Sequence, residues 1–480
     1  MAYKHGVYGY EVPTSIVPPV QVSAGLPVVF GTAPIHLASS PAKANKPTLC
    51  YTYAEAVEQF GYSDDWDKYT LCEFMKSHFA LFNVAPVVLI NVLDTNVHKI
   101  NIIDKAITLV NKIGKITEPV IVSTLIVKLT SAGQPLVRNT DYTVAYSDEG
   151  DLIITALTGG AITGDNIVVS FDKVNPSAVT KDDIIGGVDI NTGDYEGLEL
   201  INQIFPYFRL VPGLILAPKW SCNSEVAAVM VAKASNINGH FKCIALTDIP
   251  TETITKYADA PNWKNQNNYM SARQVVCWPK INLGDKQYHL STQLAGVICK
   301  TDADNEDVPY VSPSNKSLQI DSAVLANGKD IMLGTDIAAY LNGQGIITAI
   351  NFIGGWKVWG NRTGVYPSVT DPKDAFIPIR RMFDWINNTL ITTYWQKVDF
   401  PINKRLVETI VDSANLWLNA LTARQFILGG RVEFRADENP NINLMDGIIK
   451  FHVYITPPSP AREIDFILEY DPKYLETLFA

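Results

Sequence analysis

The chain has 480 residues, 47% of them apolar and 18% charged, with a formal net charge of −10. That length can bury several cores, so two to four domains are expected, and the composition is that of an ordinary globular protein rather than a disordered one. The modest acidity argues against a nucleic-acid surface as the main function, no apolar run reaches the ~18 residues of a membrane span, and MAYKHGVYGY has no signal-peptide core.

The first 22 residues read as an extended arm. Pro13, Pro18 and Pro19 remove backbone donors and forbid a helix, while Val7, Val12, Ile16, Val17 and Val20 are apolar and need a surface to lie on. That surface is either the chain's own domain or a neighbour's. LPVVFG (26–31) has the form of a buried strand ending in a turn. Thr52 with Glu55 makes a capping-box pattern ahead of AEAVEQF, and Gly61 closes that helix. A second helix is expected over about 69–82 and a buried strand over PVVLINV (86–92). This order defines an α/β layer.

Residues 119–175 change character. VIVSTLIVKL, DYTVAY, DLIITAL and NIVVSF are β-rich runs between Gly, Asn and Asp turns, which predicts a small β-rich domain inserted into the α/β domain. The α/β pattern returns with a helix over 194–205, a strand at 212–218, a helix opened by Ser224, strands at 241–250 and 273–279, and a helix over 291–300. Such alternation implies a mainly parallel, covered sheet. Ligands often bind at strand ends in sheets of this kind, so Asp248 is the best enzyme-like residue, although such an acid is far more often a carboxylate capping a loop.

A C-terminal α+β domain is expected from 330. Thr335 can open a helix, GQGIITAINFI passes into a strand, Pro378 can start a helix running to about Gln396, and Asn403 caps another through Ala420. The stretch 351–401 is rich in large aromatics. Gly354, Gly355, Trp356 and Trp359 read as a core corner with a backbone in unusual angles between two aromatic anchors. RVEFRA (431–436) and IIKFHVYI (448–455) read as a strand pair. Behind the stiff spacer PPSP (457–460), Ile464, Phe466, Leu468 and Tyr470 alternate with Asp465, Ile467, Glu469 and Asp471, which makes a strand with one wholly apolar face. It is either an edge strand of the chain's own C-terminal sheet or a strand offered to another molecule.

The division expected is an N-terminal arm (1–22), an α/β domain (23–118 and 176–329), an inserted β-rich domain (119–175), a C-terminal α+β domain (330–460) and a C-terminal arm (461–480). Chemical motifs are missing: there is no Walker loop, GxSxG elbow, HExxH or GxGxxG, and the seven His show no i, i+4 pairing. Cys50, Cys72, Cys222, Cys243, Cys277 and Cys299 are widely spaced, without CxxC, and read as reduced thiols of a protein made in a reducing cytoplasm. No cofactor, metal or catalytic residue is expected. Arg380-Arg381 reads as a grip on an acidic partner or as a local salt bridge. Two classes remain: an assembly protein whose two arms pair with neighbours, or an α/β enzyme with a divergent site in the 194–300 sheet.

GVYGYEVPTSIVPP (6–19), GGWKVWGNRT (354–363), FIPIRRMFDWI (376–386), YWQKVDFPINKRL (394–406) and PPSPAREIDFILEY (457–470) resemble, in this order, the contractile tail sheath proteins of bacteriophages and phage-like bacteriocins. The resemblance implies a non-enzymatic structural subunit. It would stack as hexameric rings around a tail tube, together with baseplate and tail terminator proteins, and contract irreversibly without nucleotide. It would be assembled in the bacterial host cytoplasm and become part of a virion tail or a released particle, binding no nucleic acid and inserting in no membrane. The resemblance also implies that parts of 7–20 and Ile464–Tyr470 are donated to a neighbour's acceptor strands around Val432, Phe434, Ile449, Phe451 and Val453. The C-terminal domain would lie innermost, with Arg380 and Arg381 facing the tube, and the α/β domain and its insert would lie outward.

Overall fold

In the computed structural model, residues 23–147 and 149–478 are described. The N-terminal arm, with Val7, Val12, Ile16, Val17 and Val20, lies outside the described residues.

A mixed α/β sheet of eight strands organises the chain. Its first strands are β1 (Pro27–Gly31), β2 (Thr48–Cys50) and β3 (Val87–Asn91). A β-rich unit follows with β4 (Lys99–Thr108), β5 (Ile113–Ile116), β6 (Ile126–Lys128), β7 (Tyr142–Tyr146), β8 (Leu152–Ala156) and β9 (Asn166–Val174). It forms two three-stranded sheets, β4-β9-β6 and β5-β8-β7, around its own core of Val127, Leu152, Ile154, Ile167, Val169 and Phe171. The unit begins at Lys99, earlier than the expected 119. Its first strand, KINIIDKAIT, is mostly exposed, has its alternation broken by a register shift between Ile102 and Lys105, and is held by antiparallel pairing with β9.

A short ribbon, β10 (Gly187–Val188) and β11 (Tyr195–Glu196), leads back to the large sheet. That sheet continues with β12 (Leu214–Leu216), β13 (Ile244–Asp248) and β14 (Gln274–Cys277). A four-stranded antiparallel sheet is built from β15 (Lys280–Leu283), β16 (Lys286–Tyr288), β17 (Ser322–Val324) and β18 (Asp330–Ile331). The large sheet then closes with β19 (Ile346–Asn351) and β20 (Trp356–Trp359), giving the order β2-β3-β1-β12-β13-β14-β19-β20. The six inner strands are parallel and the two edge strands antiparallel. The inner strands are mostly apolar and almost wholly buried, as a sheet covered on both faces requires, with Asn91, Thr247, Asp248, Gln274 and Thr348 as buried polar members.

Two of the helices expected from capping signals are capped as the signals indicate, whereas Ser224 and Thr335 are the first residues of their helices, with Asn223 and Gly334 at the cap positions. The Thr52 hydroxyl accepts the Glu55 N–H at 3.1 Å, opening Tyr53–Phe60, and the Glu55 carboxylate accepts the Tyr51 N–H at 2.8 Å. Asn403 accepts the Leu406 N–H at 2.8 Å and opens Lys404–Ala423.

The expected boundary at 330 is not where the C-terminal unit starts. IITAI is buried on both faces and pairs parallel to β14, so the large sheet takes residues up to Trp359. The C-terminal unit is carried by the helices Ile377–Tyr394 and Lys404–Ala423 and by a two-stranded sheet, β21 (Gly429–Glu433) and β22 (His452–Thr456). Met382, Trp385, Ile386, Trp417, Leu418 and Val432 form its core, with Trp385 and Trp417 rings 5.6 Å apart.

The aromatic corner is corrected in its details. Gly354 and Gly355 lie in the exposed β19–β20 turn at φ 76° and 85°, where glycine avoids a Cβ clash. Trp356 and Trp359 are half-buried on β20, and the residue that enters the core there is Val358.

Candidate assembly surface

The strand pair expected near 431–436 and 448–455 is present with shorter limits. Val432 pairs with Val453 and Arg431 with Tyr454, antiparallel. Phe434, Ile449 and Phe451 lie just outside the strands, with Phe434 and Phe451 in edge contact at 6.1 Å. The alternation of β22 decides which face is covered. Phe451, Val453 and Ile455 pack on the helical core, while His452 and Tyr454 are on the opposite face. There the Arg431 guanidinium lies 3.9 Å over the Tyr454 ring, and His452 meets Glu438 at 2.8 Å.

The two edges of this pair differ. At β21 the Asn415 side chain, from the middle of Lys404–Ala423, donates to the Val432 carbonyl at 3.0 Å and accepts the Val432 N–H at 2.8 Å. A carboxamide has the donor and acceptor of a peptide group, so Asn415 stands where a strand neighbour would. Sequence reading missed it. The available signal was an Asn among Ala414, Trp417 and Leu418 on the core-facing side of a helix, where a polar group needs a partner.

The C-terminal arm pairs with no strand of the chain among the described residues. Pro457 is buried, and Pro458–Arg462 lines a groove with Tyr310, Ser312, Trp359, Arg362 and Tyr366. Beyond it, Ile464, Phe466, Leu468 and Tyr470 are 70%, 86%, 94% and 76% exposed. The segment 461–470 is outside regular secondary structure, so the expected strand is absent from the isolated chain and the edge-strand reading is not what forms.

Arg380 and Arg381 are placed inside the chain rather than on a free surface. Arg381 is buried and binds Asp302 through both guanidinium nitrogens, one at 2.9 Å, and donates to the Ala24 carbonyl at 3.1 Å. Cys299 Sγ donates to the next carbonyl, that of Gly25, at 2.9 Å. This knot ties Ala24 and Gly25, just ahead of β1, to the helices Leu290–Ala303 and Ile377–Tyr394. Arg380 binds Asp374 at 3.0 Å and Asp384 at 2.9 Å, and Arg273 also reaches Asp384. The local salt bridge is therefore what forms, because each guanidinium finds a buried carboxylate that must be neutralised. A tube contact through this pair is not supported by its placement.

Asp248 is likewise consumed by structure. It ends β13 and accepts the Ser291 N–H at 3.0 Å, the Ser291 hydroxyl, and the Ser221 hydroxyl at 3.3 Å. It thereby caps the first turn of Leu290–Ala303. Burial pushes its carboxyl above the usual range. Beside it, His289 Nδ1 meets Glu73 at 2.8 Å, also buried. No cluster of three or more His, Cys, Asp or Glu with metal-site geometry occurs among the described residues. No helix among them is long and apolar enough to cross a membrane. All six cysteines are free, and five are buried.

These features define a mixed α/β multidomain protein with an open-edged accessory sheet and an unpaired apolar arm. The same fold is found in contractile sheath assemblies. The sheath complex of an extracellular contractile injection system, PVC, in the contracted state aligns with a TM-score of 0.58 at 13% identity, covering 98% of this chain and 99% of that one. The contracted helical sheath of the anti-feeding prophage aligns with a TM-score of 0.58 at 15% identity, covering 98% and 100%. No protein-family model matches the chain. In sequence, the tail sheath protein of Burkholderia phage BcepMu is 28% identical over 99% of this chain and 98% of its own length. The chain thus resembles contractile tail sheath proteins along its whole length, in sequence and in fold.

Proposed function

We propose that the chain is the structural subunit of a contractile tail sheath. It polymerises as stacked hexameric rings around a tail tube and contracts to drive the tube through a cell envelope, with baseplate and tail terminator proteins at its ends. The observation that carries this reading is the exposed arm. Four alternating apolar side chains at 464–470 are left exposed by the described residues, although their burial is worth roughly 6–12 kcal/mol gross. An apolar strand left in water invites pairing with another chain, and main-chain hydrogen bonds to an open sheet edge supply it. Together with the whole-length sequence similarity, this favours a polymer over an enzyme. Asp248, the anchor of the enzyme reading, is buried within a capping network.

In this assignment the arms at 7–20 and 464–470 are donated to the β21–β22 sheets of neighbours. The C-terminal helical unit lies inward and the β-rich unit outward. The spacer bends while the donated sheet stays intact, so subunits can rotate without separating.

Electron microscopy of the purified chain across a concentration series tests the proposal. Hollow tubes of stacked rings are expected from the full chain, and folded monomers from a chain ending at residue 460. Tubes from the truncated chain would refute the role given to the arm.

A further inference from the structure

At one end of the large sheet the β10–β11 ribbon projects. It pairs Val188 with Tyr195 and Gly187 with Glu196, and the Asp189 N–H donates to the Asp194 carbonyl at 2.9 Å, which continues the ladder by one pair. Side chains alternate along a strand, so Val188 and Tyr195 share one face while Asp189, Asp194 and Glu196 share the other. The Asp189 carboxylate is used within the turn, accepting the Asn191 N–H at 2.6 Å and the Thr192 N–H at 3.2 Å. Asp194 and Glu196 are exposed and have no ion pair among the described residues, and residues 186–197 include no Lys or Arg. Like charges gathered on one face of a ribbon repel each other. The Gly197 N–H donates to Asn45 Oδ1 at 3.2 Å, and the Asn45 N–H to the Asn91 carbonyl at 2.8 Å, which roots the ribbon at the β2–β3 end of the sheet.

Beyond β20, at the opposite edge, lies the groove of about 660 Å³ walled on one side by Pro458–Arg462. Tyr310, Trp359 and Tyr366 supply rings, Lys316, Arg362 and Arg462 supply charge, and no Asp or Glu lines it among the described residues. Arg462 is already bound to Glu463 at 2.7 Å. Lys316 is exposed, Arg362 is half-buried, and neither has a carboxylate partner among the described residues. The Arg362 guanidinium lies 3.7 Å from the Phe376 ring centroid and 4.4 Å from that of Tyr366. Aromatic faces compensate a desolvated cation only in part. Burial, and behind it the charge of Arg462, pulls the Arg362 guanidinium below its ordinary value, so the groove is short of an anion.

We infer, resting on the proposed sheath reading, that the β10–β11 ribbon of one copy docks by its acidic face in this groove of a second copy, with Asp194 and Glu196 against Arg362 and Lys316. Ribbon and groove sit at the two edges of an eight-stranded sheet, seven interstrand spacings or roughly 30 Å apart. From Gly186 to its tip the ribbon spans at most about 17 Å, so it cannot reach the groove of its own chain. Each copy offers one ribbon and one groove, which makes the contact head-to-tail and lets it repeat from copy to copy, as a ring or a helical stack requires. The contact uses side chains alone and exchanges no strand. Because Pro458–Arg462 forms one wall, a docked ribbon also holds the root of the C-terminal arm.

The test mixes two full-length variants, Asn191→Cys at the ribbon tip and Asn315→Cys at the groove rim, under mild oxidation at low salt. Both positions are exposed, and neither carries the charges in question. The expected product is a heterodimer linked 191 to 315, identified by mass spectrometry of the joined peptides. It should form severalfold faster than the product of Asn191→Cys with Ser131→Cys, an exposed site on the β-rich unit. Adding Asp194→Lys and Glu196→Lys to the ribbon chain should slow it about tenfold, the scale of turning two exposed ion pairs into repulsions. Lys316→Glu on the groove chain should then recover about two- to threefold against that reversed ribbon, which damage to either fold would not do. No preference for 315 over 131, a rate indifferent to the ribbon's charge, or no recovery with Lys316→Glu overturns the inference. The sheath reading is judged separately by microscopy. Tubes without this cross-link keep the sheath and remove the contact, whereas the cross-link without tubes does the reverse.

Discussion

Replacing Arg381 with Ala should destabilise the monomer by about 3–5 kcal/mol, the cost of breaking a buried ion pair by removing one partner. Arg381 and Asp302 are 4% and 2% exposed, and the pair is bidentate. The truncation also removes the donor to the Ala24 carbonyl. For a cooperative unit of 150–250 residues this lowers the thermal midpoint on the order of 10 °C. The readout is the near-ultraviolet transition of full-length protein, kept dilute so that assembly does not enter. Burial already raises the Asp302 carboxyl, against the pull of Arg381. Without Arg381 it rises further, so the folded variant binds a proton that the unfolded chain releases near pH 4. Its deficit therefore grows as pH rises above that value and shrinks on acidification toward it. Replacing both partners, Arg381→Met with Asp302→Leu, should recover most of the loss, because a packed apolar pair needs no neutralisation. A midpoint within about 1 °C of wild type, coupled to lost assembly, would refute this reasoning and return Arg381 to a contact with another protein.

Phe466→Asp should leave the monomer's circular dichroism and melting unchanged, since the ring is 86% exposed, and should abolish tubes; a misfolded variant would contradict the free arm. Asn415→Leu should lower stability by about 1–3 kcal/mol, measured by denaturant titration, because the Val432 N–H and C=O lose their partner. Lys264 donates to the Tyr366 carbonyl at 3.1 Å, and burial lowers its amine to about 8. The unfolded chain then holds a proton that the folded chain has lost between about pH 8 and the ordinary lysine value of 10.5. Wild type should accordingly gain up to about 3 kcal/mol over Lys264→Met across that window, and a pH-independent difference would contradict the shift. Asp248→Asn should cost stability through the capping network around Ser291, and an unchanged unfolding midpoint would show that the network is dispensable.

Local rules were enough for much of the chain. The capped helices at Thr52 and Asn403, the buried runs of the parallel sheet and the β21–β22 pair were all legible, because their signals lie within a few residues of the structure they produce. The alternation at 464–470 was legible as a strand pattern, but whether a strand forms depends on a partner, and the described residues supply none. β4 escaped notice because its residues are mostly solvent-exposed and its pairing partner lies in β9. β20 was obscured by the Gly-Gly turn before it, although only the turn needs glycine.

The sequence by itself determined the α/β class, most element positions and the existence of an apolar arm, through periodicity, capping and turn chemistry. Tertiary structure decided what the polar side chains outside the local helix caps do. Arg381 looks like half of a cationic grip until Asp302 arrives from another helix, and Arg380 until the fold buries it between its near neighbours Asp374 and Asp384, the latter also bound by the distant Arg273. Asp248 looks like a strand-end acid until Ser291 closes on it. Asn415 has no visible role until Val432 is set beside it. The physical reason is common to all four. A buried polar group takes its meaning from the partner that satisfies it, and that partner is chosen by folding across long stretches of chain.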